Sequence, residues 1–76
     1  MVEAYVLITT GVGKVRNVFE NVEEIEGVKN IHIVTGPFDL IAIAEADDMS
    51  TLMNVVIEEI GKAEGVTDTN TSVVIE

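Results

Sequence analysis

Apolar residues change their spacing several times along the chain, and each change marks an element. From Val2 to Thr9 both alternate sets are apolar, with Val2, Ala4, Val6 and Ile8 on one face and Tyr5 and Leu7 on the other. This pattern predicts a strand buried on both sides. Gly11 and Gly13 break it. From Val12 onward, Val15, Val18, Phe19, Val22 and Ile25 recur at helical intervals, predicting one apolar helix face that Gly27 terminates. Residues 28–35 alternate again, Ile31 and Ile33 against Asn30, His32 and Val34, as a second strand does. Gly36-Pro37 predicts a hairpin turn, because Pro presets φ and Gly accepts a conformation other residues avoid. The third strand, Phe38 to Ala46, is apolar on both faces like the first, Leu40, Ala42 and Ala44 opposing Ile41 and Ile43. Asp47 or Asp48 can cap a second helix whose stripe is Met49, Leu52, Met53, Val56, Ile60 and Ala63, ended by Gly65. Val66 to Ile75 reads as the fourth strand.

The chain therefore states one pattern twice: strand, helix, Glu-Gly-Val stop, strand, with the stop at Glu26-Gly27-Val28 and again at Glu64-Gly65-Val66. The order β-α-β-β-α-β with right-handed crossovers predicts an α+β, ferredoxin-like sandwich. In it a four-stranded antiparallel sheet carries both helices on one face, with the first and third strands central. Only one sheet face is then covered. Tyr5, Leu7, Ile41 and Ile43, or their alternates on the same two strands, form a patch on the other face, and pairing of two sheets across a two-fold axis is the simplest way to bury it.

Composition narrows the rest. At 76 residues the chain holds one small core, and 47% hydrophobic content is too high for disorder. No linker or composition shift divides residues 1–76, so a single domain is expected. No apolar run approaches the roughly 20 residues a membrane span needs. The start, Met1-Val2-Glu3-Ala4-Tyr5, lacks the features of a secretion signal, and the chain has no cysteine, so a cytoplasmic protein is expected. The formal charge of -10 repels a phosphate backbone and argues against direct nucleic-acid binding.

Catalytic and cofactor chemistry finds little purchase. Gly11-Val12-Gly13-Lys14 hints at a phosphate loop, but Ile8 and Val15 stand where a Walker loop needs Gly and Ser or Thr. With Arg16, and Asn30 orienting water, the same loop could imitate acylphosphatase, whose longer signature is missing. His32 has no partner for a transition metal, and Asp47-Asp48 is more simply a helix cap than a cation site. No set of nucleophile, base and orienting group is visible, so neither enzyme activity nor a cofactor is expected. Two polar features are left unexplained by packing. One is Asp39 at the start of a buried strand, costly unless its charge meets donors. The other is the run Thr67, Asp68, Thr69, Asn70, Thr71 on the last strand, which either protects an edge or lines a small pocket.

These residues carry a family resemblance. Val34-Thr35-Gly36-Pro37-Phe38-Asp39-Leu40, followed after the second helix by Glu64-Gly65-Val66-Thr67-Asp68-Thr69-Asn70-Thr71, resembles the effector (RAM) domain of the leucine-responsive and asparagine-activator regulators, Lrp/AsnC. The likeness spans essentially the whole chain. The helix-turn-helix of such regulators is not in this sequence, so it looks like the stand-alone form. The resemblance implies dimers of the dimeric αβ-barrel type, higher ring assembly and amino-acid effectors bound between dimers. It also implies a role in regulating transcription, by assembly with itself or with full-length regulators. Thr35, Gly36, Pro37, Phe38 and Asp39 would form one wall of the effector site, and Asp68, Thr69 and Thr71 another, with Met53 and Ile57 reaching the pocket. A zwitterion needs a carboxylate for its ammonium group and N–H or hydroxyl donors for its carboxylate, and both are offered. An ACT-type regulatory domain, binding through Gly11 to Gly13, shares the fold and is the alternative.

Overall fold

The two doubly apolar strands occupy the middle of the sheet. The computed structural model describes all 76 residues, as β1 (Val2–Thr10), α1 (Val15–Glu23), β2 (Val28–Ile33), β3 (Leu40–Ala46), α2 (Met49–Asn54) and β4 (Val66–Val73). The strand order is β2-β3-β1-β4, every neighbouring pair antiparallel. This is the ferredoxin-like βαββαβ topology.

Register explains burial. Ala4, Val6 and Ile8 pair with Ala44, Ala42 and Leu40, and all six are fully buried beneath the helices. Directly opposed residues share a face, so Tyr5 with Ile43 and Leu7 with Ile41 lie together on the side no helix covers. Ile31 of β2 and Val18 and Val22 of α1, with Leu52, Val55, Val56 and Ile60, complete the core, and no polar side chain is buried in it. No helix is long and apolar enough to cross a membrane.

Several boundaries differ from the periodicity: the helices end at Glu23 and Ile60, short of Gly27 and Gly65, β3 begins at Leu40 rather than Phe38 and β4 ends at Val73 rather than Ile75. The first helix begins at Val15 rather than Val12, because Gly13 holds φ at +75° and Lys14 takes the N-cap position. The β2–β3 connection runs from Val34 to Asp39, longer than a tight Gly-Pro turn. Within it only the ends are pinned, Val34 N–H to the Asp39 carbonyl at 3.0 Å and Asp39 N–H to the Ile8 carbonyl at 2.9 Å. The second helix changes character midway. Met49–Asn54 is α-helical and capped by Asp48, whose carboxylate accepts the Thr51 N–H at 2.7 Å, whereas Val55–Ile60 is π-helical. The Gly61 N–H reaches back to the Val56 carbonyl at 2.8 Å. A Cβ on Gly61 would sit 2.8 Å from the Ile57 carbonyl oxygen, so glycine is the residue this helix end accommodates.

Gly65 and Gly36 separate conformational strain from packing. Both hold positive φ, +96° and +116°, but a Cβ on Gly65 would lie 2.8 Å from Val18 Cγ2, while one on Gly36 would meet nothing within 4 Å. Gly36→Ala is expected to lose about 1–2 kcal/mol from backbone strain alone. Gly65→Ala should lose about 1–3 kcal/mol more, the usual range for overpacking a core. Urea unfolding of the two variants checks the order, and equal losses would show that the contact with Val18 relaxes freely.

Candidate functional site: the hairpin, the end of β1 and the open sheet face

The hairpin between β2 and β3, the β1–α1 turn and the start of β4 all lie at one end of the sheet, because β1 and β2 finish there and β3 and β4 begin there. The sheet order places β1 between β3 and β4. The two walls inferred from the sequence, residues 35–39 and residues 68–71, therefore flank the end of β1 rather than meeting each other.

Asp39, expected at the start of the third strand, is the last residue of the connection before β3, and its carboxylate meets donors. Its Oδ2 accepts the Thr10 N–H at 2.8 Å and the Thr10 hydroxyl at 3.3 Å. The β1–β3 register pairs Ile8 with Leu40, so the next partner of Thr10 would be Phe38. The chain turns toward β2 before then, and the Asp39 carboxylate supplies the acceptor that the ladder loses. Oδ1 has no hydrogen-bond partner within the chain. The N–H groups of Thr35, Gly36 and Phe38 donate no intrachain hydrogen bond. Thr35, Gly36 and Pro37 are exposed and Phe38 is half-buried.

On β4, Thr69 and Thr71 pair with Ile8 and Val6 and so lie on the helix-covered side, whereas Asn70 and Ser72, opposite Leu7 and Tyr5, face the open side. Asp68 Oδ1 accepts the Thr69 N–H at 3.0 Å. Thr67 is the extra residue of a bulge opposite Thr9 and Thr10. Its hydroxyl lies 3.0 Å from that of Thr9, which is also 3.3 Å from the Asp68 carbonyl. Thr9 and Thr10 were not singled out from the sequence, since a strand end carrying two threonines has no signature until its neighbours are known.

The open face has an apolar centre and a charged end. Tyr5 remains 45% exposed, and Leu7, Ile41 and Ile43 are half-buried. At one end Glu3 and Glu45 are directly opposed, an arrangement unfavourable for two like charges. Lys29, the bulged residue of β2, lies between them, with Nζ 3.5 Å from Glu3 Oε2 and 3.6 Å from Glu45 Oε2. The two carboxylates, Glu45 first and Glu3 second, hold the Lys29 pKa above its ordinary 10.5.

The largest concavity, about 510 Å³, lies toward the other end of the sheet, where Glu26, Glu45, Asp47, Thr51, Asn54 and Glu59 are among its lining residues. It includes none of the residues inferred for the effector site, and no cluster of three or more potential ligands is placed to hold a metal ion. Arg16 lies over the Phe19 ring, 5.8 Å from its centroid. Asn30, opposite Ile43, is on the open side of the sheet, whereas α1 covers the other. The pair invoked for acyl-phosphate chemistry is thus divided by the sheet.

The chain is thus a two-layer βαββαβ domain whose sheet keeps one apolar face uncovered, an architecture that many functions share. Residues 3–76 match the family described as the Lrp/AsnC ligand binding domain, and the chain belongs to that family. No curated protein matches the sequence. Among solved structures, TTHA0845 from Thermus thermophilus is 34% identical with a TM-score of 0.94, the match covering 100% of this chain and 95% of that one. PHS023 from Pyrococcus horikoshii is 34% identical at a TM-score of 0.91, covering 100% and 92%. The transcriptional regulator NMB0573 from Neisseria meningitidis, solved in complex with L-Met, shares the fold at 22% identity and a TM-score of 0.86; the match covers 99% of this chain and 50% of that one.

Lys29→Ala should lower stability by leaving Glu3 and Glu45 opposed. Because the pKa of Lys29 is raised in the fold, its contribution is fully present below 10.5 and is lost as pH rises through the higher folded value. Urea midpoints of wild type and variant should differ at pH 7, draw together in about 1 M salt, and converge above pH 10.5. A gap indifferent to salt would contradict this role.

Proposed function

We propose that this chain is a non-enzymatic amino-acid-binding module that regulates transcription of amino-acid metabolism genes through its own assembly. Two sheets pair through Tyr5, Leu7, Ile41 and Ile43 into a dimer, and dimers associate further into rings. Full-length Lrp/AsnC regulators can enter the same assembly through the shared interface. The effector is held between dimers, with Thr35, Gly36, Pro37, Phe38 and Asp39 from one side and Asp68, Thr69 and Thr71 from the other. The chain itself makes no DNA contact, because its charge of -10 opposes one. A cytoplasmic location follows from this role.

The observation that carries the reading is the half-satisfied hairpin. Its Thr35, Gly36 and Phe38 N–H groups make no intrachain hydrogen bond, and Asp39 keeps one carboxylate oxygen without a partner beside them. Free donors suit a carboxylate and the remaining oxygen suits an ammonium group, so an α-amino acid satisfies both. The placement of the ligand between dimers accords with the absence of a concavity at these residues in the single chain. The L-Met complex of NMB0573 concerns that protein, but it makes methionine a sensible first probe here.

A thermal-shift screen against the twenty amino acids tests the proposal. A ligand at 100 times its Kd adds about 2.7 kcal/mol, which for a domain of this size raises Tm by roughly 10–20 °C. At least one amino acid is expected to do so and to change the sedimentation profile, since a ligand bound between dimers shifts assembly by its differential affinity. For that amino acid, Asp39→Asn should weaken binding about tenfold or more, and Thr69→Val or Thr71→Val less. No shift with any amino acid would leave these residues a structural role.

A further inference from the structure

Thr9 and Thr10 at the end of β1, and Gly11 directly after it, each reach a different part of the site. Thr9 holds the start of β4, its hydroxyl 3.0 Å from the Thr67 hydroxyl and 3.3 Å from the Asp68 carbonyl. Thr10 holds the hairpin through the Asp39 carboxylate, at 2.8 Å from its N–H and 3.3 Å from its hydroxyl. Gly11 holds the loop before β4, its N–H 2.9 Å from the Gly65 carbonyl. The hairpin on one side and β4 on the other have no ladder between them, because β1 separates β3 from β4. Their relative position at this end of the sheet passes through β1, and through side chains where regular pairing stops.

We propose that Thr9, Thr10 and Gly11 form a clasp that sets the spacing between the hairpin and the start of β4, with Asp39 as its hairpin-side latch. Asp39 is then a positioning residue before any ligand arrives. The physical reason lies in the register. Past Leu40 the β1–β3 ladder has one further backbone bond, from Asp39 N–H to the Ile8 carbonyl, and past Thr9 the β1–β4 ladder is interrupted by the bulge at Thr67. On the β4 side the Thr10–Val66 pair and the bond from the Gly11 N–H to the Gly65 carbonyl follow the bulge, so both walls are held by few backbone bonds at the same level of the sheet. A bond from an N–H to an ionised carboxylate is about twice as strong as a neutral one, and here it acts where the hairpin would otherwise swing. Because the two arms leave from adjacent residues of one strand, loosening one displaces the anchor of the other.

Naming the two segments as walls rests on the effector reading above, but the clasp is tested without any ligand, so the two can fail separately. Native-state amide exchange is followed in wild type and in Asp39→Ala, with Val6 and Ala42, deep in the central strands, reporting global unfolding. The expected result is exchange at Thr10, Val34 and Gly11 rising about tenfold or more relative to Val6 and Ala42, as loss of a hydrogen bond to a charged group allows. A proportionate rise at all positions would mean that Asp39 contributes only to overall stability. A rise at Thr10 with Gly11 unchanged would mean two independent contacts and no clasp. Should Asp39→Ala fail to fold, Thr10→Val, which removes only the hydroxyl bond and keeps the β-branched shape, should raise exchange at Val34 and Gly11 a fewfold relative to the core. Thr10→Ser should restore protection. Absence of that rise, or of the rescue by serine, overturns the proposal.

Discussion

One side of the sheet has no partner within the chain, and the proposed assembly follows from that. A two-layer βαββαβ fold covers a single sheet face, yet β1 and β3 are apolar on both. The helices bury Ala4, Val6, Ile8, Leu40, Ala42 and Ala44 completely. The same strands present Tyr5, Leu7, Ile41 and Ile43 on the opposite face. Fully burying one such side chain contributes about 1.5–3 kcal/mol, so covering the exposed parts of four of them outweighs most single contacts in so small a domain. Polar and charged residues frame the patch: Asn30 and His32 on β2, Asn70 and Ser72 on β4, and the Glu3–Lys29–Glu45 cluster at one end. Such a frame limits how a second sheet can lie on the first.

The site at the other end is built by interruption. Where β3 leaves the ladder, Asp39 replaces a missing acceptor, and where β4 bulges, Thr67 leans on Thr9. The N–H groups of the hairpin are left without partners in the same place. Regular pairing at the centre thus satisfies the backbone, and its failure at the rim leaves polar groups without intrachain partners. The chain belongs to the Lrp/AsnC ligand binding family, and the bare sheet face and the polar rim are the two features that the proposed assembly and effector binding draw on.

Much of the fold could be read from periodicity, because it depends on residues two apart in strands and three or four apart in helices. The double apolar alternation of β1 and β3 placed them at the centre, and the Glu-Gly-Val stops marked where β2 and β4 begin, a few residues after the helices end at Glu23 and Ile60. What could not be read involved partners distant in sequence. Asp39 was legible as a charge in need of donors, but Thr10, 29 residues away, gave no sign of being its partner. Thr69 and Thr71 stood out as polar, yet their place on the helix-covered side follows from pairing with Ile8 and Val6. The π-helical stretch was hidden because Leu52, Val56 and Ile60 also fit an α-helical stripe; the bond from the Gly61 N–H to the Val56 carbonyl, five residues back rather than four, distinguishes the two.

The central claim is that the bare sheet face is completed by a second copy, and two isoleucines of unequal position test it. Ile57 is 57% exposed on the second helix, while Ile43 is half-buried at the middle of the open face. Sedimentation and circular dichroism of Ile43→Glu and Ile57→Glu compare a charge on the paired face with a charge on an outer helix surface. The wild type and Ile57→Glu should both be folded with the dimer as their smallest unit, and Ile43→Glu should be aggregated or unfolded. A soluble, well-folded monomer from Ile43→Glu would show that the domain does not need its partner.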